Sequence, residues 1–143
     1  MKTLWITVII TLICSVFAAM AADIYLSARI PIIGAFAGLQ YSLNPGIAWG
    51  IRLPSGAQEV AILLALIAVG YMAKSAKSSI SQAAFGLIIG GGLANIVDRI
   101  RDGVVTDFFQ IGSFPIFNVA DSCVSIGVGL LLVEAFLSKS IKG

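Results

Sequence analysis

The chain has 143 residues, of which 59% are hydrophobic and only 11% are charged, and its formal net charge is +2. Because soluble domains are about 25% charged and about 45–50% apolar, this composition predicts an integral membrane protein, with residues 1–143 forming a single domain. The small net charge argues against a nucleic-acid partner. The absence of histidine excludes histidine-based catalysis and Cys/His zinc sites, and the two cysteines, Cys14 and Cys123, lie inside apolar runs.

Four apolar segments are predicted to cross the membrane as helices, because a spanning helix needs about 20 predominantly apolar residues. They cover residues 4–22, 57–73, 80–97 and 119–137. The first segment has a second interpretation, since Lys2, an apolar core and the small residues "AAMAA" are typical of a cleavable signal peptide. We favour a span, because the run is long enough to cross and its removal would leave an odd number of helices.

The distribution of basic residues predicts the orientation. With four spans, both termini lie on one side of the membrane, and five lysines share that side while four arginines lie on the other. The positive-inside rule then places both termini in the cytoplasm. The lysines are Lys2, Lys74, Lys77, Lys139 and Lys142, and the arginines are Arg29, Arg52, Arg99 and Arg101.

Most acidic residues fall at or beyond the outer ends of the predicted helices. Only Glu134 lies in the inner half of a span. The polar chemistry is therefore predicted at the extracytoplasmic face. The outer acids are Asp23, Glu59, Asp98, Asp102, Asp107 and Asp121.

Two outer connections carry strand-like patterns. In "GLQYSLNPG", apolar and polar residues alternate with a period of two up to an Asn-Pro-Gly turn, and "VVTDFF" is also strand-like. We therefore predict an all-α membrane protein of four transmembrane helices with a small extracytoplasmic β-element. In the third span, Gly86 and Gly90, followed by Gly91 and Gly92, predict close helix packing.

The third span ends in a polar stripe. Spacings of three and four residues put Asn95 on the same side of the helix as Asp98 and Arg99. These residues are candidates for a binding surface. The alternative is an ordinary polar helix end that meets water and holds a salt bridge.

Asp107 and Asp121 are the candidates for chemistry. The intervening "IGSFPIF" is apolar and contains Pro115, so it can fold back and bring the two carboxylates together at the membrane surface. Low dielectric and like charge would then keep one protonated and one ionised. That state can activate a water and protonate a peptide nitrogen. The alternative is that Asp121 only N-caps its helix near Asn118.

Two other function classes stay open on the residues alone. Asp98, Asp102 and Asp107 could bind Mg²⁺ through oxygen ligands, as in a metal-dependent membrane lipid-phosphate enzyme. The interleaved Arg99 and Arg101 weaken that site for a dication. A non-enzymatic helical scaffold is the other alternative.

Several stretches together resemble lipoprotein signal peptidase, also called signal peptidase II, a family of aspartic proteases in bacterial membranes. The stretches are "NPGIAWG", "GGGLANIVDRIRDGVVTDFF" and "FNVAD", together with Asp23 just after the first predicted span. Departures are Ile24 and Ser27, where the family usually has Gln and Lys, and the milder Trp49 and Ala94 for Phe and Gly.

The resemblance implies a catalytic dyad of Asp107 and Asp121. It also implies substrate-binding roles for a further set, in which Asp23 would support the polar network. That set is Asp23, Asn44, Asn95, Arg99 and Asn118.

The resemblance further implies cleavage of a prolipoprotein just before a cysteine that carries diacylglycerol. No metal or other cofactor is expected, and globomycin is the expected type of inhibitor. The expected partners are the lipid-modified substrate and membrane lipids, and the expected state is a monomer. The expected location is the bacterial cytoplasmic (inner) membrane, which the chain would cross several times.

Overall fold

The computed structural model describes residues 1–46 and 56–140, with side chains up to Ser138. Part of the "NPGIAWG" motif, including Trp49, lies outside the described residues, as do Arg52 and Lys142. The described elements, in chain order, are α1 (Lys2–Tyr25), β1 (Ile30–Ile33), β2 (Ala37–Asn44), α2 (Ala57–Ala73), α3 (Ser79–Asp102), β3 (Val105–Ile111) and α4 (Val119–Ser140).

The four helices correspond to the four predicted spans, which confirms the predicted fold class. In the described residues, α1, α3 and α4 are long and apolar enough to cross a membrane, whereas α2 is a shorter apolar helix of 17 residues. The helices run past the predicted ends of their spans. Helix α1 continues to Tyr25 and so contains Asp23 in its last turn, and α3 continues to Asp102. The carboxylate of Asp23 is bonded to neighbouring elements at this point, so it does not interrupt the helix.

Helix α3 is the central helix of the bundle, and its glycines allow the neighbouring helices to approach closely. A Cβ added at Gly90 would lie 2.8 Å from the carbonyl oxygen of Val8 in α1. On another side, a Cβ at Gly91 would lie 2.6 Å from the carbonyl oxygen of Ala120 in α4. The close packing predicted from the glycine run is therefore present against two helices.

The β-element is an antiparallel sheet with the strand order β1-β2-β3. Strands β2 and β3 are the two predicted from sequence, and β1 is an addition to them. Across β2 and β3, Asn44 pairs with Val105, Leu43 with Thr106 and Ser42 with Asp107. This register puts the end of β2 beside the beginning of β3, close to where α3 ends.

Glu134, the acid of the inner half, has a local role at the other end of the bundle. Its carboxylate accepts hydrogen bonds from the hydroxyls of Ser78 and Ser81. Ser78 is also the N-cap of α3 and accepts the backbone N–H of Ser81. An acid beside the beginning of a helix is stabilised by the exposed N–H groups there, so Glu134 joins α4 to the start of α3.

The close approach of α3 and α4 can be tested by adding one methyl group. Gly91→Ala would put its Cβ against the Ala120 carbonyl and 2.9 Å from Val124 Cγ2. Overpacking of this kind costs about 1–3 kcal/mol, so we expect a lower free energy of unfolding for the purified protein in detergent.

Gly129→Ala in α4 is the matched control, because a Cβ there meets nothing within 4 Å. We expect this variant to be as stable as the parent or more stable by up to about 1 kcal/mol, since alanine favours helix. Equal stability of the two variants in the same unfolding assay would contradict the packing described for Gly91.

Candidate active site

Asp107 lies among polar side chains that come from the ends of β2, α3 and α4, and it is only 2% exposed. Strand β3 carries it, and two side-chain amides hold its carboxylate. The Nδ2 of Asn44 donates to Oδ2 at 3.0 Å, and the Nδ2 of Asn118 donates to Oδ1 at 2.8 Å. A buried carboxylate needs such donors, because an unpartnered one is expensive to bury.

Asp121 reaches the same cluster from the first turn of α4. The interpretation that Asp121 N-caps this helix is wrong, because Asn118 is the N-cap. The side chain of Asn118 accepts the backbone N–H of Asp121 at 2.9 Å, and Asp121 accepts the backbone N–H of Asn118 at 3.4 Å. This is a reciprocal capping box. It fixes the direction of the Asp121 carboxylate without using both of its oxygens.

The connection 112–118 folds back on β3, as predicted. The carbonyl oxygen of Phe117 accepts the N–H groups of Phe108 and Phe109 at 3.0 and 2.7 Å. Asn118 therefore follows a backbone that is paired with the strand carrying Asp107. This pairing brings the start of α4 to β3.

Two asparagine amides link the carboxylates. Asn95 of α3 donates from Nδ2 to Asp121 Oδ1 at 2.8 Å, and its Oδ1 accepts the Nδ2 of Asn118 at 3.2 Å. The same Asn118 Nδ2 donates to Asp107. The structure thus brings together Asp107, Asp121, Asn44, Asn95 and Asn118, from four different elements or their ends.

The pKa of Asp107 is raised from its ordinary value of 3.8 to about 6. Burial is the largest cause, because it disfavours the charged form, and the negative charge of Asp121 adds to it. Hydrogen bonds from Asn44 and Asn118 and the charge of Arg99 act in the opposite direction. A carboxyl with a pKa near neutrality can hold or release a proton under ordinary conditions.

Arg99 is a buried cation beside this cluster, with 8% of its surface exposed. Its Nη2 donates to the carbonyl oxygen of Gly46 at 2.6 Å and its Nη1 to that of Asn95 at 3.3 Å. In the described part of the chain, its Nε has no hydrogen-bond partner.

These groups open onto a cavity of about 890 Å³. Five of the seven residues predicted for the site line it: Asn44, Asn95, Arg99, Asp107 and Asp121. The others support it from outside: Asn118 is 4% exposed, and Asp23 bonds to Thr106, Tyr41 and Arg101. Asp23 therefore belongs to a polar network beside the cavity, and its part in substrate binding stays a prediction.

The cavity also has walls that sequence reasoning missed. Ile62 of α2 and Val124, Ser125 and Ile126 of α4 line it, together with Ser122 directly after Asp121. The signal for the α4 residues was available, since Ser125 lies one helical turn after Asp121. No sequence signal distinguished Ile62 from the other apolar residues of its span.

The structure does not support the metal alternative. Within the described residues, no three His, Cys, Asp or Glu side chains are grouped so that they could hold a metal ion. Asp98 instead accepts the backbone N–H of Thr106 at 2.8 Å and lies 3.2 Å from Arg101. Its carboxylate therefore holds the beginning of β3.

Comparisons with known proteins agree with one family. The sequence profile described as "Signal peptidase (SPase) II" matches residues 4–137. A lipoprotein signal peptidase of Haemophilus influenzae is 35% identical over 97% of this chain and 88% of its own length. One of Photorhabdus laumondii is 34% identical over 99% of this chain and 92% of its own length.

A solved structure described as a bacterial membrane enzyme has the same fold. It superposes with a TM-score of 0.85 at 28% identity, covering all of this chain and 93% of the other. A second one gives a TM-score of 0.78, also at 28% identity, and covers 94% of this chain and 93% of the other.

The four helices and the cavity with two carboxylates at its polar end define a membrane hydrolase with a site at one end of its bundle. The chain belongs to the signal peptidase II family. The predicted family and the removal of signal peptides from prolipoproteins are thereby confirmed. The lipid-phosphate enzyme and the scaffold are not supported. The roles of the individual site residues stay predictions.

The raised pKa of Asp107 yields a pH prediction. Asn44 donates to the ionised form and so lowers this pKa. Asn44→Ala should therefore raise the pKa of Asp107 above about 6. With Asp107 in a catalytic role, the inflection in the pH profile of kcat/KM should move upward with it. We expect an upward shift of about one to two pH units, because a hydrogen bond to a charged group is worth about 1.5–3 kcal/mol and one unit is about 1.36 kcal/mol.

Arg29→Gln is the matched control for this profile. Arg29 bonds to Gly34, Ala35 and Gln110 in the sheet and does not line the cavity. Its replacement should leave the inflection where it is. An Asn44→Ala inflection that stays in place or moves to lower pH would contradict the electrostatics described for Asp107.

Proposed function

We propose that this peptidase is an aspartic endopeptidase that cuts lipid-modified prolipoproteins just before the lipidated cysteine, with Asp107 and Asp121 as its catalytic dyad. The observation that carries the proposal is the pair of carboxylates linked by the amides of Asn95 and Asn118 at the polar end of the cavity. Acid–base catalysis on a peptide bond needs one carboxylic acid and one carboxylate within reach of the same water.

In this proposal the dyad shares one proton, and Asp107 holds it. Burial raises the pKa of Asp107 to about 6, and a substrate seated in the cavity would exclude more water and raise it further. Asp121, which is less buried than Asp107, then acts as the base of the pair. The amide of Asn95 and the N–H of Asn118 hold its two oxygens in place.

The reaction then proceeds by general acid–base catalysis. Asp121 takes a proton from the water, and the water oxygen attacks the scissile carbonyl carbon while Asp107 donates a hydrogen bond to the carbonyl oxygen. The tetrahedral intermediate collapses as the C–N bond breaks, and the proton on Asp121 passes to the leaving nitrogen. The products are a carboxylic acid and a free amine, and both carboxyls return to their starting protonation states.

Substrate binding uses the two kinds of cavity wall. The side chains of Asn44 and Arg99 line the cavity and carry N–H groups that can donate to backbone carbonyls of the substrate. Ile62, Val124 and Ile126 offer an apolar wall for acyl chains. A site with a few polar groups on a mostly apolar cavity is typical for amphipathic ligands.

The remaining parts of the proposal concern location and assembly. We place the protein in the bacterial cytoplasmic (inner) membrane as a single domain of residues 1–143 and as a monomer, without a cofactor. Both termini would face the cytoplasm and the dyad the opposite side. The grouping of Asp23, Arg101 and the carboxylates at one end of the bundle supports a single polar face.

The dyad is tested by isosteric substitution. Asp107→Asn and Asp121→Asn should each lower kcat by about a hundredfold to ten-thousandfold, because each removes a proton-transfer group worth about 10²–10⁴ in rate. The assay is cleavage of a purified diacylglyceryl prolipoprotein, and membrane insertion is checked by fractionation. Asp102→Asn, an exposed carboxylate outside the cavity, is the control that should remain active. Activity in either dyad variant would overturn the assignment.

The same assay tests the absence of a metal and the type of inhibitor. We expect full cleavage in excess EDTA, because Asp107 and Asp121 take their hydrogen bonds from amides and backbone. We expect globomycin to stop cleavage. Loss of activity in EDTA, restored by Mg²⁺, would favour a metal-dependent mechanism instead.

The orientation is tested by labelling. In a variant with Cys14 and Cys123 replaced by serine, a cysteine at the exposed Phe36 of the sheet should react with a membrane-impermeant maleimide added outside spheroplasts. A cysteine at Lys2 should react only after lysis. The opposite pattern would reverse the proposed topology.

A further inference from the structure

Arg101, in the last turn of α3, is the centre of an ionic cluster beside the site. Its Nη2 bonds to the carboxylate of Asp23 in α1, lies 3.2 Å from Asp98 Oδ1 and lies 3.0 Å from Asp102 Oδ2. Arg101 does not line the cavity. Any effect it has on catalysis must therefore pass through another residue.

The two more buried carboxylates of this cluster hold the same strand residue. Thr106 of β3 donates its backbone N–H to Asp98 at 2.8 Å and its hydroxyl to Asp23 at 2.8 Å. Thr106 has no exposed surface, and Asp107 is the next residue. The two carboxylates that Arg101 contacts, Asp23 and Asp98, thus each accept a hydrogen bond from Thr106.

The position of Thr106 sets the position of the buried carboxylate. Leu43 pairs with Thr106 and Ser42 with Asp107 across the sheet, and Asn44 donates to the Asp107 carboxylate. A displacement of Thr106 would therefore move Asp107 relative to Asn44 and to the amide of Asn118 on the other side.

We propose that Arg101 is a positioning residue for cleavage. It holds the carboxylates of Asp23 and Asp98 where both accept hydrogen bonds from Thr106. These bonds fix the position of the next residue, Asp107, relative to Asp121. This inference rests on the proposed dyad. The cation beside the carboxylate of Asp23 is Arg101, which comes from a different helix.

The competing explanation is an ordinary surface ion pair. The Arg101 side chain is 35% exposed, and exposed ion pairs contribute little to stability. An ordinary pair would leave catalysis unchanged when it is removed. The Arg101 cluster differs from such a surface pair because it includes Asp98. The side chain of Asp98 is only 7% exposed, and its second oxygen accepts a backbone N–H of β3.

The first test separates kcat from KM. Arg101→Gln should lower kcat about ten- to a hundredfold, because misplacement of a reacting group by about 1 Å costs up to about a hundredfold. KM for a diacylglyceryl prolipoprotein should change less than about twofold, since Arg101 does not line the cavity. Arg101→Lys keeps the charge and should recover most of the loss.

Two controls match the change in charge and location. Arg29→Gln removes an arginine that bonds only within the sheet, and Asp102→Asn removes an Arg101 partner that does not contact Thr106. Both should retain kcat within about twofold, as is usual for substitutions away from a packed or functional contact.

A double-mutant cycle tests the route through Thr106. Thr106→Val keeps the side-chain shape and removes the hydroxyl that donates to Asp23. If Arg101 acts through this bond, Arg101→Gln should lower kcat less in the Thr106→Val background than in the parent. Independent contributions would multiply, and full multiplicative losses would reject the route.

Three outcomes overturn the inference. They are wild-type kcat in Arg101→Gln, a loss confined to KM, and an equal loss in Asp102→Asn. Should Arg101→Gln fail to accumulate in membranes, Thr106→Val decides: a lower kcat with little change in KM supports the inference, and wild-type kcat overturns it. Failure of the dyad itself is distinguishable, because it would appear as activity in Asp107→Asn whatever the Arg101 variants do.

Discussion

The burial of the Asp107 carboxylate is the constraint on which the rest of the site depends. An ionisable group with 2% exposure needs a hydrogen-bond donor for each oxygen, and the chain supplies Asn44 on one side and Asn118 on the other. Asn118 also caps α4, bonds to Asn95 and fixes Asp121. One asparagine therefore joins the strand, two helices and both carboxylates, so the geometry of the pair is set by ordinary helix capping.

Helix α3 provides the frame for this arrangement. Its glycines bring α1 and α4 close to it, so that the C-terminal end of α1 and the N-terminal end of α4 carry polar side chains at the same end of the bundle. Its last two turns then present different residues to different neighbours: Asn95 to α4, Arg99 to the cavity, and Asp98 and Arg101 to β3 and α1. Helical periodicity explains how one segment can serve several elements.

Sequence reasoning succeeded where a pattern has a period and failed where contacts are non-local. Long apolar runs gave the four helices, and alternation gave β2 and β3. The strand β1 was missed because "IPII" has no alternation and contains a proline. The pairing of Asp121 with Asn118 as a capping box, and of Asp23 with Arg101 and Thr106, involves side-chain directions that spacing does not determine. The contribution of Ile62 to the cavity depends on packing of α2 in the same way.

The raised pKa of Asp107 implies that the site is kept at a cost to stability. The carboxyl of Asp107 binds its proton more tightly in the folded chain than in the unfolded chain. Protonation of Asp107 therefore stabilises the fold fully below pH 3.8, and this stabilisation is lost as the pH rises through about 6. At neutral pH the free protein therefore carries a buried, largely ionised carboxylate. The donors of Asn44 and Asn118 and the charge of Arg99 reduce that cost without removing it. A fully solvated Asp107 would not carry the cost of a buried charge. It would, however, titrate far below neutrality and lose the proton that the proposed mechanism needs.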